Sequence, residues 1–95
     1  MGSNVNLGAG TKLSNLKNDG TEVTVRVEEN TIKTGMRKFG AILGDGSMLG
    51  CNSVTNPGTV MGQDAWVYPN ATISGFFPSK CIVKLKQKIE TVCRA

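Results

Sequence analysis

The sequence predicts an all-β fold, a parallel β-helix of hexapeptide repeats, and three observations support this prediction. A six-residue period runs without a break from Leu43 to Pro78. Each six-residue block opens with an aliphatic residue or Thr, and all but the last have a small residue at the fifth position. A fixed period this short is typical of stacked β-coils. The blocks are LGDGSM, LGCNSV, TNPGTV, MGQDAW, VYPNAT and ISGFFP.

The same register continues towards the start of the chain if residues 19–36 are treated as an insert. The additional blocks then begin at Met1, Leu7, Leu13 and Arg37. Over all ten blocks the fourth position is Gly, Asn or Asp eight times, and these residues tolerate positive φ at little cost. The fourth position is therefore predicted to turn a corner of each coil. The predicted corners are Asn4, Gly10, Gly40, Gly46, Asn52, Gly58, Asp64 and Asn70.

The insert is predicted to form a β-hairpin arm. Residues 22–27 alternate polar and apolar side chains as a strand does, residues 28–30 form a turn, and residues 31–34 return as a second strand. Three valines share one face of the first strand, so the arm is expected to pack either on a neighbouring subunit or on the flank of the helix. These are Val23, Val25 and Val27.

The β-helix domain is predicted to span residues 1–78, and residues 76–78 break the repeat and mark its exit. Residues 79–95 are predicted to form a basic tail, in which a strand leads into a short helix. The helical part is suggested by the spacing of Leu85, Ile89 and Val92.

The net charge of +4 comes from that tail, which contains five basic residues and one acidic residue. No aromatic residue lies between its lysines, which argues against a nucleic-acid partner because stacking platforms are missing from the tail. The open ends of so short a β-helix invite pairing, so self-association is predicted. No apolar run approaches the length of a membrane span, so no membrane partner is expected.

The cysteine count indicates reduced thiols. The sequence has three cysteines, Cys51, Cys81 and Cys93. Their odd number and wide spacing argue against a disulfide framework and against a zinc site. The first residues show no basic stretch followed by an apolar run, so no signal peptide is predicted. We expect a cytoplasmic protein without a metal.

Three segments carry a resemblance to a known family: VNLGAGT at 5–11, RKFGAILGD at 37–45 and GCNSVTNPGT at 50–59. Together they resemble the left-handed β-helix domain of bacterial and archaeal sugar-1-phosphate nucleotidylyltransferases. The type is the N-acetylglucosamine-1-phosphate uridylyltransferase/glucosamine-1-phosphate acetyltransferase, and the resemblance covers nearly the whole chain. It implies a left-handed helix and a homotrimer with acyl-CoA sites between subunits, at which acetyl-CoA is the co-substrate.

The resemblance also implies roles for single residues. Asn6 and Asn15 would contact substrate, Lys38 would bind the sugar phosphate, and the backbone at Ala9 and Gly10 would border acetyl-CoA. Each role has a plainer alternative: the two asparagines could satisfy amides at coil corners, and the lysine could be a solvated charge.

The departures from the family pattern concern catalysis. That pattern places a general-base His, with a nearby Tyr, in the coil before VNLGAGT, and this sequence contains no His. No catalytic residue is therefore assigned. We expect the chain to be the C-terminal part of a larger enzyme, an acyltransferase-type domain of sugar-nucleotide biosynthesis that is inactive alone. Two alternatives are a non-catalytic trimerisation or scaffold module and a small binding protein that uses the basic tail. Lys12 is a weaker candidate for anion binding.

Overall fold

Every regular element of the structure, a computed structural model that describes residues 1–85 and 91–93, is a β-strand. The predicted all-β fold is confirmed. Within the described ranges no helix is long and apolar enough to cross a membrane. The strands are β1 (Asn6–Leu7), β2 (Lys12–Leu13), β3 (Thr24–Val27), β4 (Asn30–Lys33), β5 (Ala41–Leu43), β6 (Met48–Leu49), β7 (Val54–Thr55), β8 (Thr59–Met61), β9 (Trp66–Val67), β10 (Thr72–Ile73), β11 (Phe76–Phe77) and β12 (Ile82–Val83).

Three parallel sheets form the walls of a left-handed β-helix, as the repeat and the family resemblance predict. The first wall contains β1, β6, β9 and β12; the second contains β2, β7 and β10; the third contains β5, β8 and β11. Consecutive strands of the repeat lie in different walls, and strands that pair are one coil apart. Ala41 pairs with Thr59 and Met48 pairs with Trp66, so the central coil consists of three blocks, one for each wall.

The first and fifth positions of each block fill the interior. Leu43, Leu49 and Met61 are fully buried first-position residues, and each such side chain contributes about 1.5–3 kcal/mol when it leaves water. The fifth position is small because it points into the narrow interior beside a corner. Its hydroxyls donate to the carbonyl three residues earlier, at 2.7 Å for Ser47 and 2.6 Å for Thr59, which satisfies these buried groups.

Seven of the eight predicted corners have positive φ, so the fourth-position rule is confirmed at these sites. Their φ values lie between 56° and 86°, and four of the seven are Asn or Asp rather than Gly. The seven are Asn4, Gly10, Gly46, Asn52, Gly58, Asp64 and Asn70.

The exception, Gly40, shows that the predicted insert is too short. Asn6 pairs with Met48, which lies seven block lengths further along the chain, whereas a coil of the helix takes three. Four block lengths therefore lie outside the walls, one more than predicted. Of the block at Arg37, only Ala41 and Ile42 lie in a wall strand, β5. The residues before them run antiparallel to the chain that leaves β2, because Lys38 bridges Leu16 and the N–H of Phe39 donates to Asn15 O at 2.8 Å. We call these two segments, residues 15–18 and 36–39, the arm stem.

The hairpin arm is confirmed. Strands β3 and β4 are antiparallel with a two-residue turn at Glu28 and Glu29, so Asn30 already belongs to the second strand. Val23 and Val25 are buried, and β3 lies against β8 of the third wall. A Cβ added to Gly58 would lie 2.5 Å from the carbonyl oxygen of Thr24, so the arm backbone packs directly on this corner. Of the two predicted surfaces, the arm packs on the flank of its own helix.

The helix continues past its predicted exit at residues 76–78. Phe76 pairs with Val60 and Ile82 pairs with Trp66, and in both pairs the separation along the chain falls two residues short of three full blocks. The deletion falls at Ser74–Gly75, where Gly75 turns with φ 92°. Phe77 then opens a further block, and β12 confirms the strand predicted at the start of the tail. The predicted helix falls largely on residues 86–90, which lie outside the described residues.

Candidate functional site

The arm stem brings together two of the predicted site residues, Asn15 and Lys38. Asn15 O accepts the N–H of Phe39 at 2.8 Å, and Lys38 lies opposite Leu16 in the antiparallel bridge. Both residues are exposed at the surface. An amide and an ammonium therefore lie on adjacent backbone segments. An amide can hydrogen-bond hydroxyl groups, and an ammonium can bind phosphate oxygens.

Asn6 lies on another wall of the helix. It occupies β1 of the first wall at the outward-facing sixth position, beside Met48, and it is exposed. Because Asn6 lies in a strand, it does not satisfy a corner. Within the described ranges neither Asn6 nor Asn15 makes a side-chain hydrogen bond, so no contact supports the alternative that their amides serve the backbone. One copy of the chain thus brings Asn15 and Lys38 together and leaves Asn6 apart.

Ala9 and Gly10 form the corner that follows β1. Ala9 O accepts the N–H of Asn52 at 2.9 Å, and a Cβ on Gly10 would collide with the side-chain oxygen of Asn52. The positive φ of 76° and the closeness of the Asn52 side chain together account for glycine at this position. Lys12 donates from Nζ to Gly10 O at 3.2 Å, so an exposed ammonium lies over the same corner. Lys12 is thereby placed beside the residues that the resemblance assigns to acetyl-CoA.

An open cleft of about 350 Å³ lies between the arm stem and the corner that follows the second wall. Ser14, Asn56 and Ser74 hold the same second position in successive coils, so they stack along its floor. The sequence did not predict this cleft, because it depends on the true register of the insert and on the short turn at Gly75. The lining consists of hydroxyls, amides, one ammonium and two apolar side chains: Ser14, Leu16, Lys17, Asn18, Asn56, Pro57 and Ser74.

Local hydrogen bonds fix the loop that enters the arm. Thr21 donates to Asp19 Oδ1 from its backbone N–H at 3.0 Å and from its hydroxyl at 2.7 Å. These two donors, the backbone N–H first, hold the pKa of Asp19 below that of an ordinary aspartate. Arg37 Nε donates to Gly20 O at 3.1 Å, so the loop is tied to the opposite side of the stem.

Metal-ligating side chains do not cluster in residues 1–85 and 91–93: no three His, Cys, Asp or Glu residues there lie close enough to share an ion. Cys51 and Cys93 are exposed and Cys81 is partly buried, and the three thiols are free.

Comparison with known proteins gives no matching family model. The chain is 39% identical over 74 residues to the bifunctional sugar-1-phosphate nucleotidylyltransferase/acetyltransferase of Sulfurisphaera tokodaii. It is 33% identical over 89 residues, or 94% of its length, to the bifunctional protein GlmU of Methanococcus aeolicus. The chain is a relative of these bifunctional enzymes. The family resemblance seen in the sequence is confirmed.

The relationship concerns one part of each relative. The matches cover 18% and 21% of these two proteins, so the chain spans about a fifth of the length of the curated relatives it matches. A shorter protein, the uncharacterized acetyltransferase YaiX of Escherichia coli, is 33% identical over 73 residues, which are 77% of this chain and 32% of that protein.

Proposed function

We propose that the chain is an acyltransferase-type hexapeptide domain of sugar-nucleotide biosynthesis, which binds a sugar phosphate and acetyl-CoA. The observation that carries this proposal is the relationship to a bifunctional GlmU protein over 94% of the chain. The hexapeptide fold is consistent with the acetyltransferase activity named for the relatives rather than with the nucleotidyl transfer, because a repeat-built helix offers no glycine-rich phosphate loop at a helix start.

The sugar phosphate is bound at the arm stem. The ammonium of Lys38 faces the phosphate, and the amide of Asn15 hydrogen-bonds a sugar hydroxyl. Asn6 lies on a different wall, so a site that uses all three residues forms between two copies of the chain. This separation supports a homotrimer in which each sugar site is completed by a neighbour.

Acetyl-CoA lies along the corner at Ala9 and Gly10. Acetyl-CoA supplies an acetyl group activated as a thioester. The corner is exposed and carries no bulky side chain, and the Lys12 ammonium lies 3.2 Å from Gly10 O, where it can face an anionic part of the ligand. These features fit a ligand that has an extended chain and phosphate groups.

The 95 residues bind these ligands without turning them over. Attack of an amine on a thioester needs a base whose pKa lies near neutral pH, and the usual residue is His. The sequence has no His, and the proposed site offers amides and ammonium groups, which do not accept a proton at that pH. Acetyl transfer by this chain alone is therefore absent.

Isothermal calorimetry tests the proposal. We expect heat on titration with acetyl-CoA and with glucosamine 1-phosphate. Lys38→Ala should weaken the sugar phosphate about tenfold, the effect of one lost charged hydrogen bond. Lys33→Ala is the matched control, since Lys33 is an exposed lysine on β4 of the arm. Absence of heat with both ligands at millimolar concentration would contradict the proposed function.

A second candidate function is a non-catalytic trimerisation or scaffold module. It is favoured by the large apolar side chains that the first wall leaves exposed, Trp66 and Ile82 among them. Self-association without affinity for acetyl-CoA or sugar phosphate would select this function over the first.

A further inference from the structure

The corner that follows the second wall differs from the other two corners at the second position of its blocks. Five blocks at the other corners have glycine there, and a Cβ on any of them would lie between 2.5 and 2.8 Å from a backbone nitrogen of the next coil. The five are Gly2, Gly8, Gly44, Gly50 and Gly62. At the second-wall corner the same position carries three polar side chains instead, Ser14, Asn56 and Ser74. The fold therefore leaves room for side chains at this corner, and the open cleft of about 350 Å³ lies over them.

Backbone hydrogen bonds hold the floor of the cleft in place and leave its polar side chains available. The N–H groups of Ser14 and Asn56 donate to carbonyls of the next coil at 2.9 and 2.8 Å, which fixes the floor to the helix. Coils are about 4.8 Å apart, so the three polar side chains extend over about 10 Å. In the helix interior, Ser47 and Thr59 donate their hydroxyls to backbone carbonyls. Among the described residues the side chains of Ser14, Asn56 and Ser74 make no such bond, so they can bind a ligand.

Residues 16–18 of the arm stem form the roof of the cleft. The N–H of Gly20 donates to Lys17 O at 2.9 Å and closes a turn, and Arg37 Nε donates to Gly20 O at 3.1 Å from the opposite side of the stem. The fold itself therefore sets the backbone positions of Lys17 and Asn18. Their ammonium and amide line the same space as the polar floor, and Leu16 adds an apolar contact.

The charge of the cleft favours a ligand with a single negative charge. Lys17 is the one charged residue among the described residues that line the cleft. Asp19 lies nearby, but Thr21 donates two hydrogen bonds to it and its attraction to Lys17 acts through space, so the ammonium keeps its donors for a ligand. A carboxylate carries one negative charge, whereas a phosphate monoester carries about 1.5–2 at neutral pH. One ammonium therefore matches a carboxylate better than a phosphate.

The neutral part of the lining favours a carbohydrate. Two amides and two hydroxyls both donate and accept hydrogen bonds, as the hydroxyl groups of a sugar require. Leu16 and Pro57 provide apolar contact for the C–H groups of a sugar ring. No aromatic side chain is present in the part of the lining that the structure describes, so a nucleobase has nothing there to stack on.

We propose that the cleft binds a sugar that carries one carboxylate group. The Lys17 ammonium binds the carboxylate, and the side chains of Asn18, Ser14, Asn56 and Ser74 bind the ring hydroxyls. The volume of about 350 Å³ is at the lower end of the range for small-molecule sites and accommodates a sugar ring. All the described lining residues come from one chain, and none belongs to the proposed sugar-phosphate or acetyl-CoA site. Binding in the cleft therefore goes beyond the proposed function and requires one chain only.

A titration of the isotope-labelled chain with glucuronate, followed by NMR, tests the cleft. For a ligand of this size we expect saturable shifts of the cross-peaks of the cleft residues and a dissociation constant on the order of 1 mM. Lys17→Gln should weaken binding about tenfold, because it removes a charged hydrogen bond, and Asn56→Ala should weaken it about threefold. The matched controls are Lys33→Gln and Asn30→Ala, which alter exposed residues of β4 on the arm and should change the affinity less than about twofold.

The same spectra show whether each variant folds, and Asn56→Ala decides the question if Lys17→Gln does not fold. Shifts of the wild-type chain that do not saturate, or an unchanged affinity of folded Lys17→Gln, would overturn the cleft as the site. Equal affinity for neutral glucose or for N-acetylaspartate, or tighter binding of glucose 1-phosphate at the cleft cross-peaks, would overturn the ligand class. Calorimetry with glucosamine 1-phosphate and acetyl-CoA judges the proposed function separately, since a chain that binds glucuronate and neither of these refutes only that function.

Discussion

The third and first walls of this β-helix carry similar outer ladders but have different surroundings. Each stacks three large apolar side chains that point outward from the repeat. On the third wall the arm buries the central residue Val60, whereas on the first wall Met48 is half-buried and Trp66 and Ile82 are exposed. The repeat itself does not decide whether an outer face is buried. An inserted segment provides the cover in one case, and in the other the described residues provide none.

The largest difference in unfolding free energy is expected between two variants that introduce a charge, one beneath the arm on the third wall and one on the outer face of the first wall. Val25→Asp puts a carboxylate where the side chain is 4% exposed, between arm and third wall, and should cost more than about 3 kcal/mol of unfolding free energy. Trp66→Asp should change the free energy of the monomer by less than about 1 kcal/mol, because its site is already half in water. Urea unfolding at concentrations that keep the chain monomeric measures both. Equal costs would remove the distinction between the walls.

A smaller loss of stability is expected when alanine replaces glycine at the corner where the arm meets the third wall. Gly58 has φ 86°, and a Cβ there would lie 2.5 Å from Thr24 O, so Gly58→Ala combines strain with a steric clash. Gly75 has φ 92° with open space around it, so Gly75→Ala isolates the strain. We expect a loss of about 3 kcal/mol at Gly58 and about 1–2 kcal/mol at Gly75. Similar thermal unfolding of the two variants would show that the arm does not press on this corner.

A smaller difference in unfolding free energy is expected when one buried threonine is replaced on the inner face of the second wall and one on that of the third. Thr55 is fully buried in β7 and its hydroxyl has no partner among the described residues, whereas Thr59 in β8 donates to Asn56 O at 2.6 Å. Thr55→Val should stabilise the chain by about 1 kcal/mol, because it removes an unpaired buried group. Thr59→Val should destabilise it by about 1 kcal/mol, because it removes the hydroxyl donor at 2.6 Å and leaves Asn56 O with only the backbone N–H of residue 59 at 3.2 Å. Chemical denaturation would contradict this reasoning if both variants moved in the same direction.

The smallest effect concerns the loop that anchors the arm. The backbone N–H and hydroxyl of Thr21 lower the pKa of Asp19, so the stabilisation by charged Asp19 is present above the unfolded pKa and is lost as pH falls through the folded pKa. Thr21→Val removes the hydroxyl and keeps the N–H, so the pKa should rise only part of the way to its ordinary value. A carboxyl titration followed by NMR measures it, and an unchanged midpoint would show that the hydroxyl does not hold the carboxylate.

The periodic features of the fold could be predicted from the sequence, and the interruptions could not. The six-residue period predicted the stacked coils, and its fourth position predicted seven corners, because each is a local requirement that recurs. The block at Arg37 has Gly40 at its fourth position, so it resembled a coil, although residues 37–39 belong to the arm stem. The block at Phe77 was hidden because two residues are missing before it, and its corner residue is Lys80 with φ 61°.

The candidate site was predictable only residue by residue. The family resemblance marked Asn6, Asn15 and Lys38, but nothing in the sequence indicates their mutual placement, which depends on the antiparallel stem and on the division into walls. The outward-facing column of Met48, Trp66 and Ile82 on the first wall was missed because its members lie a whole coil apart along the chain, and the alignment of Ile82 depends on the shortened coil. The tail lysines also lacked aromatic neighbours in sequence, whereas the fold places Lys84 Nζ 5.7 Å from the ring centre of Tyr68.

The emission of Trp66 in the unmodified chain tests the proposed self-association most directly, since Trp66 is the one tryptophan in the sequence and is exposed on the outer face of the first wall. A dilution series measured in parallel by light scattering and fluorescence compares assembly with the environment of this side chain. We predict an emission maximum at shorter wavelength in the assembled state and a shift to longer wavelength over the same concentrations at which the mass falls to that of one chain. A mass that falls while the emission maximum stays constant would contradict docking on the first wall.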